Sequence, residues 1–210
     1  MKQGFTLAEV LITLGIIGVV VAMTIPTLIQ KHNNHVVETK LKKVYSVMNQ
    51  ALNMSELENG DKTDWVNELR TLEGMQKYLL PYLKTTKAEE DEGNVYLYLA
   101  DGSILIKPKS ALGNWHLLTG KLEKCNTNSE VGKCNFAFYY NPFYNPSNNY
   151  ASGYTKQFEP YDYGWHDKEY DTLKQDVFYG CKKDANNYYC TKLIQVNGWK
   201  IPKDYPYKVR

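Results

Sequence analysis

Glu9 has the most unusual chemical setting in the sequence, because it is a single carboxylate at the start of a long apolar stretch. No charged residue occurs from Val10 to Ile29, a run of 20 positions. A helix of that length spans roughly 30 Å, the thickness of one bilayer core. An ionised carboxylate in a bilayer is costly unless it meets a partner. A simple membrane anchor has no use for such a residue, so Glu9 is a candidate functional group.

The four cysteines form two pairs by spacing. Eight residues lie between Cys125 and Cys134, and eight lie between Cys181 and Cys190. Zinc ligands usually lie about two to four residues apart, so this spacing argues against a zinc site. It favours two local disulfides, which form in an oxidising compartment outside the cytoplasm, although the sequence leaves their connectivity open.

Two other groups of residues could hold a metal ion. His32, His35 and Glu38 could share one helix face, but they lie at the membrane boundary, where polar residues are expected in any case. Five acidic residues are close together in the later sequence: Glu159, Asp162, Asp167, Glu169 and Asp171. Their spacing matches no EF-hand pattern. We therefore predict no metal site and no cofactor, with calcium in the acidic loop as the alternative.

The sequence offers no constellation for catalysis. It has neither a glycine-rich phosphate loop nor a nucleophile elbow, and His116 and His166 have no neighbouring partner in the sequence that suggests catalysis. The formal net charge is only +2, whereas strong nucleic-acid binding needs several basic contacts to phosphates. We predict that the chain is not an enzyme, has no catalytic residues and does not bind nucleic acid.

A long helix must position Glu9, and its pattern continues past the membrane segment. Five apolar residues recur every three or four positions: Val37, Leu41, Val44, Met48 and Leu52. They predict a helix that runs to about Glu58 and packs one stripe on a globular body. The sequence Asn59-Gly60-Asp61 is a typical helix stop. Pro26 removes one backbone hydrogen bond, so we expect a kink or local melting there.

The body of the chain predicts one more helix and several strands. An apolar face over residues 64–83 indicates the helix, which Pro81 would end. Asp101-Gly102 between two apolar runs predicts a hairpin. The predicted strands are residues 95–99, 103–106, 136–140 and 188–195.

The segment 132–172 has an unusual composition. It contains no Leu, Ile, Val or Met and is rich in Tyr, Asn and Gly. Without aliphatic residues it cannot form its own core, so we predict a long loop that lies on the sheet. Such a loop could bind a glycan, a protein or a neighbouring subunit. The alternative is a surface loop held in place by its aromatic side chains.

The first twelve residues read Met-Lys-Gln-Gly-Phe-Thr-Leu-Ala-Glu-Val-Leu-Ile. An ordinary secretory signal has a shorter apolar stretch and a small-residue cleavage site, and neither is found here. This N-terminus resembles the class III signal of type IV prepilins and type II secretion pseudopilins. The residues that carry the resemblance are Gly4, Phe5, Thr6, Leu7, Glu9 and the run through Pro26. The alternative is a simple signal anchor.

The resemblance implies a processing step and an assembly contact. In that family a prepilin peptidase cuts after the glycine on the cytoplasmic side, here between Gly4 and Phe5, and methylates the new amine of Phe5. Glu9 would then pair with the Phe5 amine of a neighbouring subunit. Opposite charges attract strongly in a low-dielectric bundle and are costly when alone, so this pair would favour assembly and axial register.

The resemblance also implies the organisation of the chain. The fold would be α+β and pilin-like, with a long N-terminal helix whose first half spans the membrane, packed on a small antiparallel β-sheet head. Residues 1–4 would be the leader, residues 5–30 the transmembrane and polymerisation helix, and residues 31–210 the head. The cysteine pairs indicate that the head lies outside the cytoplasm, so the protein would cross the inner membrane once.

We therefore expect a structural subunit, a minor pilin or pseudopilin of a type IV pilus or a type II secretion-like filament. Its partners would be other pilin or pseudopilin subunits, the prepilin peptidase, the membrane and the filament assembly machinery. The alternative function is a pilin-like adhesin or DNA-uptake binding subunit at a filament tip. The sequence does not separate a pilus from a secretion pseudopilus.

Overall fold

The computed structural model describes residues 6–110, 113–126, 128–143, 157–165 and 168–210. It begins with α1 (Leu7–Asn59), a helix of 53 residues. The shorter helical elements are α2 (Lys62–Trp65), a 3-10 helix (Val66–Arg70), α3 (Leu72–Tyr78), α4 (Leu122–Cys125), a second 3-10 helix (Asn128–Glu130), α5 (Tyr170–Gln175) and α6 (Cys190–Val196). The strands are β1 (Thr85–Asp91), β2 (Asn94–Leu99), β3 (Ile104–Lys107), β4 (Asn114–Leu118), β5 (Asn135–Tyr139) and β6 (Glu159–Pro160).

Helix α1 begins and ends at residues that cap it. Thr6 is the N-cap, and its hydroxyl accepts a hydrogen bond from the Glu9 backbone N–H at 3.4 Å. The chain leaves the helix at Gly60 with φ of 83°, a left-handed conformation that glycine adopts without strain. The predicted stop is confirmed. The helix is unbroken at Pro26, so no local melting occurs there and the kink stays a prediction.

The second half of α1 packs on the sheet through the predicted stripe. Val37, Leu41, Val44, Met48 and Leu52 are each at most 2% exposed. They share one core with side chains from one face of the sheet, among them residues 97, 105, 117 and 136. Burial of each such side chain contributes about 1.5–3 kcal/mol, so this stripe holds the helix to the head.

The six strands form one antiparallel sheet in the order β1-β2-β3-β4-β5-β6, so each strand pairs with its neighbour in sequence. The predicted hairpin is present between β2 and β3, where Tyr98 pairs with Ile104. Gly102 has φ of 77°, and Asp101 Oδ1 accepts the Ser103 backbone N–H at 3.1 Å. A long helix with an apolar first half, packed on an antiparallel sheet, confirms the predicted α+β, pilin-like fold.

The predicted helix over 64–83 is instead three short pieces: α2, the first 3-10 helix and α3. Thr71 lies between the last two in an extended conformation, with ψ of 153°, and its hydroxyl caps the Gly74 N–H at 3.1 Å. A threonine that caps a new helix ends the one before it. The apolar positions still face the core, because Trp65, Leu69 and Met75 are buried.

The strand predicted at 188–195 was wrong, because most of this segment forms α6. Asn187 has φ of 62°, and Cys190 begins the helix. A short apolar run does not distinguish a strand from a buried helix by its pattern. The N-cap Tyr189 and Leu193 are four positions apart, and both are buried in one cluster with Tyr139, Tyr161 and Trp165, called the aromatic cluster below.

Candidate functional site

The first half of α1 is an apolar cylinder that the rest of the protein does not cover. Leu7 is 77% exposed, Leu11 61%, Ile16 60% and Leu28 70%. Within the described ranges, α1 is the one helix long and apolar enough to cross a membrane. A soluble protein rarely leaves an apolar surface of this size open, so this segment needs a bilayer or other apolar helices around it.

Glu9 lies at the start of this cylinder and caps its own helix. Its Oε2 accepts hydrogen bonds from the Thr6 backbone N–H at 2.8 Å and from the Thr6 hydroxyl at 2.7 Å. With the return bond from the Glu9 N–H to Thr6, this is a complete capping box. Oε1 accepts no hydrogen bond from a described residue, so one carboxylate oxygen is left to accept a donor from elsewhere. Gly4 and Phe5 lie outside the described residues.

Three contacts join the junction between cylinder and head. Gln30 donates to the Val209 carbonyl at 3.4 Å, and the Lys40 ammonium donates to the Thr119 carbonyl at 2.9 Å. Glu38 accepts the Lys200 ammonium at 2.7 Å. The C-terminal segment therefore follows α1 down to the end of its exposed half, which fixes the orientation of the head relative to the cylinder.

Three of the candidate metal ligands, Glu38, Glu159 and Asp162, form ion pairs with lysines instead. Glu38 bonds to the C-terminal segment, while His32 and His35 are exposed. In the acidic loop, Glu159 and Asp162 both pair with Lys192, at 3.4 and 3.2 Å, and Asp167 lies outside the described residues. Among the described residues, no group of three or more His, Cys, Asp or Glu side chains could hold a metal ion.

The structure pairs the cysteines locally. Cys125 bonds to Cys134 and Cys181 bonds to Cys190, with Cα–Cα distances of 5.6 and 4.7 Å. The first disulfide closes a loop that begins at the last residue of α4 and contains the second 3-10 helix. The second disulfide joins the start of α6 to the segment before it, next to the aromatic cluster.

The predicted loop over 132–172 contains strands β5 and β6, and residues 144–156 and 166–167 of it lie outside the described ranges. Several aromatic side chains of the described part point inward. Tyr161 is 5% exposed and Trp165 is 7% exposed. The Tyr161 ring lies 4.9 Å from Tyr188 and 5.4 Å from Tyr179, measured between ring centroids. These aromatic side chains hold the segment to the head. For the described part, this favours the interpretation as a surface loop held in place by its aromatic side chains over that as a binding loop.

Sequence reasoning missed two features of the molecule. One is the role of Thr6 as the intramolecular partner of Glu9, which the Thr-x-x-Glu pattern of a capping box could have indicated. The other is a small polar cavity that includes His116 and Asn135. These two residues lie on adjacent strands, and no spacing in the sequence indicated that they meet.

Two family comparisons match the chain. Residues 1–25 match the prokaryotic N-terminal methylation motif, and residues 27–209 match the family of unknown function DUF6613. No curated protein and no solved structure matches the chain. The first match covers the N-terminus and most of the exposed cylinder, and the second covers the rest of α1 and the head.

Proposed function

From the premise that this chain belongs to the DUF6613 family and is a type IV pilin-like or pseudopilin precursor, we propose that it is a minor structural subunit of an extracytoplasmic filament. The observation that carries the proposal is the uncovered apolar cylinder, most of which lies within the methylation motif. The bilayer covers this surface before assembly, and the helices of neighbouring subunits cover it in the filament.

The proposed processing site is the bond between Gly4 and Phe5. Cleavage there removes the leader and creates a new amine at Phe5, one residue before the capping box. Oε1 of Glu9 then accepts a hydrogen bond from this amine of a neighbouring subunit, while Oε2 keeps its hydrogen bonds to Thr6. A carboxylate held by two hydrogen bonds is already oriented, so less side-chain entropy is lost when the charge pair forms.

The proposed topology follows from the chemistry on either side of residue 30. Residues 5–30 cross the inner membrane once, and residues 31–210 form a head outside the cytoplasm. The two disulfides support this arrangement, because such bonds persist in oxidising compartments. The proposed partners are other pilin or pseudopilin subunits, the prepilin peptidase and the filament assembly machinery.

The methylation motif points to a structural subunit rather than an enzyme. The contacts of α1 fit that role, because the charged groups at the junction hold the head to the helix. In this proposal the head is a rigid body carried by α1, and force on the helix is transmitted to the head through the buried stripe and the contacts of Glu38 and Lys40.

The test is the intact mass of the protein from cells with and without the prepilin peptidase. The proposal predicts a form that begins at methylated Phe5 and depends on that enzyme. Gly4→Leu should block this conversion. Gln3→Ala, a substitution at the neighbouring position, is the control and should leave the conversion intact. Retention of Met1 to Gly4 in both strains would mean a simple signal anchor, and the filament proposal would fail.

A further inference from the structure

A small cavity lies on the face of the sheet opposite α1. Its volume is about 150 Å³. Strands β2, β4 and β5 supply Tyr96, His116 and Asn135, and the loop closed by the Cys125–Cys134 disulfide supplies Asn126 and Asn128. The cavity is thus a junction between the sheet and a loop that a covalent bond holds in place, so its walls are fixed by the fold.

His116 and Asn135 together present one acceptor and one donor. His116 Nδ1 lies 2.8 Å from Asn135 Oδ1, and an amide oxygen can only accept, so Nδ1 carries the proton. Burial lowers the pKa of His116, which keeps the ring neutral and leaves Nε2 as an acceptor. Asn135 is 5% exposed, and its Nδ2 donates to no described residue. The Nδ2 group is open to solvent, so water or an occupant of the cavity can accept its hydrogen bonds.

The chemistry of the lining is neutral throughout. The lining side chains in the described part of the chain are asparagine, tyrosine, histidine, isoleucine and proline, with no carboxylate, ammonium or guanidinium among them. An anionic ligand would find no cation and a cationic ligand no carboxylate. Amides and a neutral imidazole instead suit a ligand rich in hydroxyl groups, since each hydroxyl both donates and accepts.

The size of the cavity limits the occupant further. Pockets for drug-sized ligands measure about 300–1,000 Å³, so this cavity is about half of the lower limit. It has room for about five water molecules, or for one small ring in their place. An extended peptide would need a longer groove. We propose that the cavity binds one terminal sugar residue of a neutral glycan, with one hydroxyl donating to His116 Nε2 and an adjacent oxygen accepting from Asn135 Nδ2.

The position of the cavity also fits recognition from outside. Helix α1 packs on the other face of the sheet, through Leu105 and Phe136 among others. In a filament whose centre is built from α1, the cavity faces the medium. That outward placement rests on the proposed function, but sugar binding by a single subunit does not.

The test uses the full chain in detergent micelles and saturation-transfer NMR with three probes: the methyl glycosides of galactose, mannose and N-acetylglucosamine. We expect at least one probe to bind with a Kd in the millimolar range. Asn128→Ala and Tyr96→Phe each remove a polar group from a residue that lines the cavity, the second while keeping the buried ring, and each should weaken binding about two- to tenfold. Asn53→Ala, an exposed asparagine on α1, is the matched control and should leave the Kd unchanged.

Two results would overturn the proposal. The first is absence of saturation transfer from all three glycosides with a protein that melts normally. The second is binding that neither Asn128→Ala nor Tyr96→Phe weakens, because the sugar would then bind elsewhere. Both measurements are made on unassembled protein, so their failure is independent of leader cleavage, and failure of leader cleavage would leave a sugar-binding result valid.

Discussion

Glu38 and Lys200 are 162 positions apart in sequence, yet the Lys200 ammonium donates to the Glu38 carboxylate at 2.7 Å. The other Glu38 oxygen accepts the backbone N–H of Ile201 at 2.9 Å. Glu38 is 9% exposed, whereas the Lys200 side chain is 63% exposed. The Glu38 carboxylate therefore anchors the C-terminal segment. The exposed Lys200 contributes less, because solvent screens its charge.

Replacing Glu38 should loosen the C-terminal segment from α1. Glu38→Ala removes both hydrogen bonds and leaves the Ile201 N–H without its acceptor, so we expect a loss of about 1–3 kcal/mol in the free energy of unfolding. Lys200→Ala should cost less than 1 kcal/mol, because its charge is exposed. Urea unfolding of the full chain in detergent measures both. The exposed Glu73→Ala is the control, and equal losses for Glu38→Ala and Lys200→Ala would contradict the assignment of the anchor to the backbone contact.

Glu9→Ala should impair filament incorporation and leave membrane insertion intact. The variant removes the oxygen proposed for the Phe5 amine of a neighbour, whereas the apolar cylinder that inserts into the membrane is unchanged. Fractionation of membranes and sheared filaments measures the two properties separately. Thr13→Ala is the matched control, because Thr13 is a polar residue one turn further along the same helix and bonds to the Val10 carbonyl within it. Normal incorporation of the Glu9 variant would refute the register argument.

The long helix was predictable because its signals agree with one another. The apolar stripe from Val37 to Leu52, the Gly60 stop and the uncharged run before it all describe one rod, and the structure has that rod. Hydrophobic periodicity predicts a helix reliably over such lengths, since many positions follow the same period. The Asp101-Gly102 hairpin was predictable for a different reason: a left-handed glycine is required at the turn.

The rest of the head was not predictable for physical reasons. Strand β1 is an edge strand with Lys87, Glu89 and Glu90, and charges that protect an edge conceal the strand pattern. Helix α6 is too short for its period to be read. The cavity depends on a tertiary contact between His116 and Asn135, and asparagine carries no periodic signal for the inside of a protein.

Removal of either disulfide should destabilise the head by a similar amount. Both close loops with a sequence separation of 9, for which the chain-entropy estimate is about 3 kcal/mol. We therefore expect the double variants Cys125→Ser/Cys134→Ser and Cys181→Ser/Cys190→Ser to lose about 2–4 kcal/mol each in urea unfolding. Non-reducing peptide mapping of the unmodified protein tests the pairing itself. Cross-linked peptides that join the first pair to the second would contradict it.

Lys107 is a buried lysine at the end of β3. It is 2% exposed, and its ammonium lies 5.6 Å from the centroid of the Trp115 ring. Burial, with a smaller contribution from the charge of Arg70, lowers the pKa of Lys107 to about 7. In the unfolded chain the pKa is about 10.4, so between these values the unfolded state binds more protons than the folded state.

The sign of the pH effect follows from that difference. The burial of the charged Lys107 destabilises the folded protein fully below pH 7. This destabilisation decreases as the pH rises from about 7 to 10, because the folded state has then lost a proton that the unfolded state keeps. Lys107→Met fills the same space without a charge, so it should stabilise the protein at pH 6.5, and its advantage over the unmodified protein should decrease towards pH 9. Urea midpoints at pH 6.5, 7.5 and 9 measure this difference, with the exposed Lys109→Met as control. An advantage that stays constant across these pH values would show that Lys107 is charged in the folded protein throughout, held by partners strong enough to offset its burial.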